Sequence, residues 1–140
     1  MAKVSSSAEL PVSAKTVWAV IGNFNALPDW HPAVAKSELQ SKDGGTLRKL
    51  SLVGGGTIEE RLEKIDEKGR RYTYSIVSGP LPVSNYTATL TVREAQTGSG
   101  CTVEWSSEFE AKGAPEGDAV AAIRGIYEAG FENLKKMFGG

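Results

Sequence analysis

The C-terminal stretch of the chain, residues 117–138, reads GDAVAAIRGIYEAGFENLKKMF. Its large apolar residues recur at steps of three and four, which places them in one stripe along a helix of 3.6 residues per turn. They are Val120, Ile123, Tyr127, Phe131, Leu134 and Phe138. Burying each of these side chains is worth roughly 1.5–3 kcal/mol, so the predicted helix needs an apolar surface to lie on. The rest of the chain is expected to supply that surface.

Local signals mark the ends and one side of this helix. Asp118 is a candidate N-cap, and Gly139 with Gly140 is expected to end the helix. Gly130 borders the apolar stripe, although glycine costs about 1 kcal/mol of helix propensity relative to alanine. Close approach of a strand is the favoured explanation, and missing side-chain volume beside a cavity is the other. Gly125, in contrast, projects to the polar side.

The composition bounds the kind of protein. A length of 140 residues predicts a single domain, 1–140. Sixteen basic and seventeen acidic residues without a block of like charge predict neither nucleic-acid binding nor attachment to an anionic membrane. Cys101 is the one cysteine, which excludes an internal disulfide and fits a reducing compartment. Without an apolar run of signal-peptide or membrane-span length, we expect a cytoplasmic protein and no membrane insertion.

Before the long helix the pattern favours strands, with short helices only near the start. Val4–Leu10 alternates as a strand, Ser13 can cap a helix to about Gly22, and Phe24–Leu27 forms a further turn that Pro28 ends. Further strands are predicted at 34–41, 46–53, 57–66, 71–78, 86–92 and 101–110, with turns at 43–45, 54–56, 67–69 and 97–100. No βαβ alternation occurs, so we predict an α+β fold with one curved antiparallel sheet.

The sequence contains no recognisable catalytic motif. One histidine and one cysteine cannot form a metal-ligand cluster, so no metal site and no cofactor are predicted. His31, between Trp30 and Pro32, is more often a surface or structural residue than a base. The glycines of residues 54–56 are followed by neither Lys-Ser/Thr nor a helix, which indicates a hairpin turn rather than a phosphate loop.

Residues 12–18 (VSAKTVW), Trp30, residues 60–62 (ERL) and the long C-terminal helix resemble the START/polyketide-cyclase superfamily. This superfamily includes the birch-pollen allergens and the plant abscisic acid receptors. The resemblance covers nearly the whole chain and implies the helix-grip fold. In that fold a seven-stranded curved antiparallel sheet wraps around the long C-terminal helix, and two short helices follow strand 1. A pocket for an apolar small molecule is expected between sheet and helix.

Similarity to the abscisic acid receptors is strongest at residues 65–66, 76–79 and 85–86. It implies that four residues are polar pocket positions and that the loops 54–57 and 79–84 lie at the entrance. The four are Lys36, Glu60, Tyr86 and Glu104, with Lys36 as the anchor for a ligand carboxylate or carbonyl. However, residues 81–83 (LPV) stand where those receptors carry a histidine-arginine-leucine latch. Hormone reception coupled to a phosphatase is therefore not expected.

Successive side chains of a strand point to opposite faces of the sheet, and this alternation tests the proposed pocket positions. Tyr86 alternates with threonines and is expected to face inward, and Tyr127 on the helix stripe would face the same space. Cys101, Val103, Trp105 and Phe109 form the inward set of the last strand, which would turn Glu104 to solvent unless a bulge intervenes. For Lys36 and Glu60, a solvent-exposed position is as compatible with the sequence as a pocket position.

Three functions are compatible with these observations. The favoured one is a carrier or sensor that binds a small hydrophobic molecule with one polar end. The second is a cyclase or dehydratase acting on an aromatic or polyketide substrate, with Glu60 as acid or base and Tyr86 or Lys36 polarising a carbonyl. The third is an interaction protein whose groove takes a partner segment. Either a monomer or a homodimer is expected.

Overall fold

The computed structural model describes residues 1–95, 98 and 100–139. Within these residues, seven strands and three helices follow one another. They are β1 Ala2–Leu10, α1 Ala14–Ile21, α2 Leu27–Trp30, β2 Val34–Lys42, β3 Gly45–Leu52, β4 Thr57–Asp66, β5 Arg71–Ser78, β6 Val83–Glu94, β7 Cys101–Ala111 and α3 Glu116–Phe138. The predicted fold class is confirmed: two short helices after strand 1, one curved antiparallel sheet and one long C-terminal helix.

Every strand pairing is antiparallel, and the strands lie in the order β1-β7-β6-β5-β4-β3-β2. From β2 to β7 the chain forms a meander, because each strand pairs with the next one along the sequence. β1 then pairs with β7 at one edge, which leaves β2 at the other edge of the sheet.

Helix α3 packs on β1, β7 and α2. Its buried side follows the predicted stripe, with six residues that lie at steps of three and four. They are Ala119, Ile123, Tyr127, Gly130, Phe131 and Leu134. Glu116 and Asp118 lie in the first turn and Lys135 and Lys136 in the last, where each charge is favourable for the helix dipole.

Gly130 is small because side chains, rather than a strand backbone, approach the helix here. A Cβ at this position would lie 2.9 Å from His31 Cδ2, 3.0 Å from Trp30 Cζ3 and 3.3 Å from Trp105 Cζ3. At Gly125 nothing lies within 4 Å of the corresponding position. Gly130 therefore lets the segment after α2 pack directly against α3.

Three local predictions need correction or lie outside the described residues. The helical turn predicted to end before Pro28 instead spans Leu27–Trp30, because proline is compatible with the first turn of a helix. Helix α3 begins at Glu116, so Asp118 lies inside the first turn and is not the N-cap. Residues 96, 97 and 99 of the predicted 97–100 turn region, and Gly140, lie outside the described residues.

Ser13 caps α1 as predicted, with its hydroxyl accepting a hydrogen bond from the Thr16 amide at 3.2 Å. Among the helices that the structure describes, none is both long enough and apolar enough to cross a membrane.

Candidate functional site

A cavity of about 250 Å³ lies between the sheet, α2 and α3. Most of its wall is aliphatic or aromatic, and strands β3 to β7 each contribute to it. The lining residues are Leu27, His31, Ala33, Val34, Leu50, Leu52, Val53, Gly55, Ile58, Glu60, Tyr74, Ile76, Leu81, Tyr86, Trp105, Ile123 and Ile126. For comparison, a cavity of about 150 Å³ is enough to hold benzene.

Two loops border this cavity. Gly55 comes from the β3–β4 turn, where all three glycines of residues 54–56 have φ between 91° and 107°. Side chains other than glycine rarely adopt this left-handed conformation, so the sequence requires glycine here. Leu81 comes from the loop between β5 and β6. These are the two segments that the sequence analysis placed at the entrance.

Two buried charges lie on β3 and β4: Glu60 in the cavity wall, and Arg48 beside it but outside the lining. Arg48 is 1 % exposed and Glu60 is 5 % exposed. Arg48 Nε donates a hydrogen bond to Glu60 Oε1 at 2.7 Å, and Arg48 Nη2 lies 2.7 Å from the same oxygen. Arg48 Nη1 donates to the carbonyl oxygen of Phe24 at 2.6 Å, and the guanidinium carbon lies 4.0 Å from the centre of the Phe24 ring. The guanidinium is therefore held on one side by a carboxylate and on another by an aromatic face.

This burial changes the ionisation of both partners. Burial raises the pKa of the Glu60 carboxyl, and the charge and hydrogen bond of Arg48 offset only part of that increase. Burial alone would lower the pKa of Arg48, but the Glu60 charge opposes it and the pKa rises. Arg48 therefore stays protonated, and its charge and hydrogen bond favour the ionised form of Glu60.

A chain of hydrogen bonds runs from β7 across the cavity wall to α3. Trp105 Nε1 donates to Tyr74 Oη at 3.0 Å, and the Tyr74 and Tyr86 hydroxyls lie 3.3 Å apart. The Tyr86 hydroxyl in turn forms a short hydrogen bond with the Tyr127 hydroxyl. The Tyr127 ring stacks on Trp105 with a centroid distance of 4.3 Å. Burial raises the pKa of all three tyrosines, so they remain neutral phenols.

His31 is a buried residue whose tautomer is fixed by its two partners. Its Nε2 lies 2.7 Å from the carbonyl oxygen of Ile126, which can only accept, so Nε2 carries the proton. Its Nδ1 accepts a hydrogen bond from the Ala33 amide at 3.2 Å. Burial lowers the pKa of His31, although the bond to Ile126 opposes this effect. The imidazole is thus neutral and connects the segment after α2 to α3.

The structure places Glu60 and Tyr86 in the cavity wall, but not Lys36. Tyr127, also predicted as a ligand-binding residue, is fully buried outside the lining and bonds to the Tyr86 hydroxyl. The Lys36 side chain is 64 % exposed, and its Nζ lies 2.7 Å from Glu38 Oε1. A bulge between Val34 and Lys36 places Lys36 opposite Ser51, whereas the neighbours Leu50 and Leu52 line the cavity. Lys36 therefore belongs to the outer face, and its expected role as ligand anchor needs correction.

Glu104 also lies outside the cavity. Its side chain is 38 % exposed and forms an ion pair with Arg93 on the neighbouring strand. No bulge interrupts β7 at this point, so the alternation that buries Val103 and Trp105 turns Glu104 to the outer face. The parity argument thus describes β7 correctly, and the pocket position that the resemblance implied for Glu104 does not hold.

Arg48 is the site residue that the sequence analysis missed. The register of the β3–β4 hairpin places it directly opposite Glu60. It shares its parity on β3 with Leu50 and Leu52, both in the cavity wall. Alternation on this strand was the signal that could have identified an inward-facing arginine. Within the described part of the chain, no group of three or more His, Cys, Asp or Glu residues could hold a metal ion.

Comparisons with known proteins identify the family and support the fold. The family model described as polyketide cyclase/dehydrase and lipid transport matches residues 1–139. Pathogenesis-related protein 2 of Petroselinum crispum is 32% identical over 129 residues, which cover 84% of this chain and 78% of that protein. The abscisic acid receptor PYL2 of Arabidopsis thaliana is 30% identical over 86 residues, which cover 58% of this chain and 45% of the receptor.

A solved structure extends the similarity to the whole chain. The protein XoxI from Bacillus cereus superposes with a TM-score of 0.93 at 40% identity, covering 99% of this chain and 96% of that one. The expected superfamily resemblance, including the remote similarity to abscisic acid receptors, is confirmed. On the match to its family model over nearly all residues, this chain belongs to the polyketide cyclase/dehydrase and lipid transport family.

Proposed function

We propose that this protein binds a small apolar molecule with one polar end in the cavity between the sheet and α3, as a carrier or sensor. The observation that carries the proposal is the cavity of about 250 Å³ with a mainly apolar wall and a buried carboxylate in it. Protein interiors are normally packed without voids of this size, so an unfilled apolar space is costly unless a ligand occupies it.

The aromatic network supports the same conclusion. Hydrogen bonds and stacking hold Tyr74, Tyr86, Trp105 and Tyr127 to one another, so the rings form a stiff wall rather than collapsing into the space. A preorganised wall lowers the entropy lost when a ligand binds. Tyr86 and Glu60 would meet the polar end of the ligand, and Tyr127 would hold Tyr86 in place from α3.

The test compares two tryptophan substitutions at neighbouring positions on β5. Ile76→Trp adds bulk inside the cavity, whereas Val77→Trp adds bulk at an exposed position on the opposite face of the same strand. Binding of naphthalene, a neutral apolar probe, is followed by quenching of tryptophan fluorescence. We expect Ile76→Trp to weaken binding at least about tenfold and Val77→Trp to leave it unchanged. Equal affinities for both variants, or no binding to the unmodified protein, would refute the proposal.

A second candidate function is acid–base catalysis on an aromatic or polyketide substrate. It is favoured by the position of the Glu60 carboxyl, which is buried in the cavity wall, where burial raises its pKa. Lys36 has no part in it, since its side chain lies on the outer face. Incubation with aromatic polyketide substrates and product detection by mass spectrometry distinguishes the two functions. A product that disappears in Glu60→Gln, under conditions where urea unfolding shows the variant still folded, would favour the enzyme.

A further inference from the structure

The cavity wall carries one formal charge, and that charge is negative. Glu60 is the charged residue among the lining residues, and both nitrogen contacts from Arg48 go to its Oε1. Glu60 Oε2 makes no hydrogen bond to any other residue in the described part of the chain. A buried carboxylate oxygen accepts hydrogen bonds strongly, so an unused one at a cavity wall offers a place for a donor.

Among the described residues that line the cavity, none supplies a cation for a negatively charged ligand. The Arg48 guanidinium is directed at Glu60 and at the Phe24 carbonyl, and it does not contribute to the lining. Lys36, the basic residue that the resemblance suggested, is exposed and paired with Glu38. A carboxylate placed in this cavity would lose its water and face the Glu60 carboxylate with no cationic side chain among the lining residues.

The remaining polar groups of the wall already have protein partners. Tyr74 and Tyr86 take part in the hydrogen-bonded chain from Trp105 to Tyr127. Both nitrogens of His31 are used, one by Ile126 and one by Ala33. Among the side-chain polar atoms of the described lining residues, Glu60 Oε2 is therefore the one left for a hydrogen bond from a ligand.

We infer that the polar end of the ligand is a neutral hydroxyl, on a phenol or an alcohol, that donates to Glu60 Oε2, and that carboxylic acids are excluded. This inference rests on the proposed function and specifies its ligand class. The volume of about 250 Å³ suits a compound of one or two rings. The Glu60–Arg48 pair selects for such a hydroxyl, because the arginine holds the carboxylate in place through one oxygen and leaves the other oxygen free to accept.

The test uses four ligands with one ring system at pH 7: naphthalene, 2-naphthol, 2-methoxynaphthalene and 2-naphthoate. A hydrogen bond to a charged group is worth enough to make 2-naphthol bind about tenfold or more tighter than naphthalene. The methyl ether cannot donate and gains nothing, and 2-naphthoate should bind at least about tenfold more weakly than naphthalene. Dissociation constants are measured by calorimetry or tryptophan quenching.

The outcomes separate this inference from the proposed function. If naphthalene binds and 2-naphthol shows no preference over the ether, or if 2-naphthoate binds tightest, the ligand class is wrong while the cavity still binds. If none of the four binds, the proposed function fails and the inference fails with it.

A pair of variants localises the preference to Glu60. In the double variant Arg48→Met/Glu60→Leu the ratio of 2-naphthol to naphthalene affinity should fall to about one, whereas Glu104→Gln on the outer face should leave that ratio unchanged. A ratio that persists in the double variant would overturn the assignment to Glu60. If the double variant does not fold, the ligand series on the unmodified protein decides alone.

Discussion

Replacing Glu60 by glutamine is expected to destabilise the fold by roughly 3 kcal/mol, because it leaves the buried Arg48 guanidinium without a counter-charge. Removing one partner of a buried ion pair costs about 3–5 kcal/mol in general. The lower end applies here, since a glutamine oxygen can still accept from one of the two Arg48 nitrogens that lie 2.7 Å from Oε1. The hydrogen bond from Arg48 to the Phe24 carbonyl is unaffected.

Urea unfolding followed by tryptophan fluorescence measures this loss, and Glu104→Gln is its matched control. Both glutamates pair with an arginine, but the Arg93–Glu104 pair is exposed and screened by solvent. With a slope of about 2 kcal/mol per M urea, Glu60→Gln should lower the unfolding midpoint by about 1.5 M. The control should change stability by less than about 0.5 kcal/mol.

The outcome also tests the geometry of the cavity wall. If both substitutions lowered the midpoint by the same small amount, Glu60 would have to be solvated rather than buried against Arg48. The reasoning about the carboxylate in the wall would then be wrong. The double variant Arg48→Met/Glu60→Leu provides a second check, because removing both charges should cost less than Glu60→Gln alone.

Two further substitutions test the packing around α3. Gly130→Ala should destabilise the fold by about 1 kcal/mol despite alanine's higher helix propensity, because the new Cβ would lie 2.9 Å from His31. Gly125→Ala, with nothing within 4 Å of its Cβ position, should stabilise the fold by up to about 1 kcal/mol. Urea midpoints that rise in both variants would contradict this. Burial lowers the pKa of His31, so the unfolded chain binds the proton more readily and stability is lost as pH falls below about 6.5. Relative to His31→Gln, the loss should approach about 1.4 kcal/mol per pH unit, and parallel stability–pH curves for the two proteins would refute it.

Much of the fold follows from local pattern. The apolar stripe of α3 and the alternation of β6 and β7 fix which side chains face inward, and the glycines of residues 54–56 fix a hairpin. These signals depend on neighbouring residues only, so they can be recognised without knowing what lies across the sheet. Strand alternation predicted the inward direction of Tyr86, and the helix stripe predicted that of Tyr127.

Lys36 and Arg48 mark the limit of that reasoning. The extra residue in the bulge between Val34 and Lys36 turns the Lys36 side chain to the other face of the sheet. The residue pattern of β2 gives no signal that predicts this bulge. Arg48 could have been found, because Arg48–Glu60 and Leu50–Ile58 are both pairs symmetric about Gly54. Arginine side chains are usually exposed and are rarely buried without a partner of opposite charge. An inward-facing Arg48 is therefore expected only when the glutamate opposite it is taken into account.

The Arg48–Glu60 pair also distinguishes this cavity from a packing defect. Apolar side chains of similar volume at these two positions would give a fold of equal or greater stability, since burying both charges removes their water. The pair therefore adds little to the free energy of folding. A functional need for a polar group inside the apolar cavity would explain why it is present. A carboxylate with one oxygen fixed by Arg48 and one oxygen free would orient the proposed ligand in the cavity. For this reason the proposed hydroxyl-bearing ligand and the expected stability cost at Glu60 are two consequences of the same arrangement, and both depend on the burial of one carboxyl group.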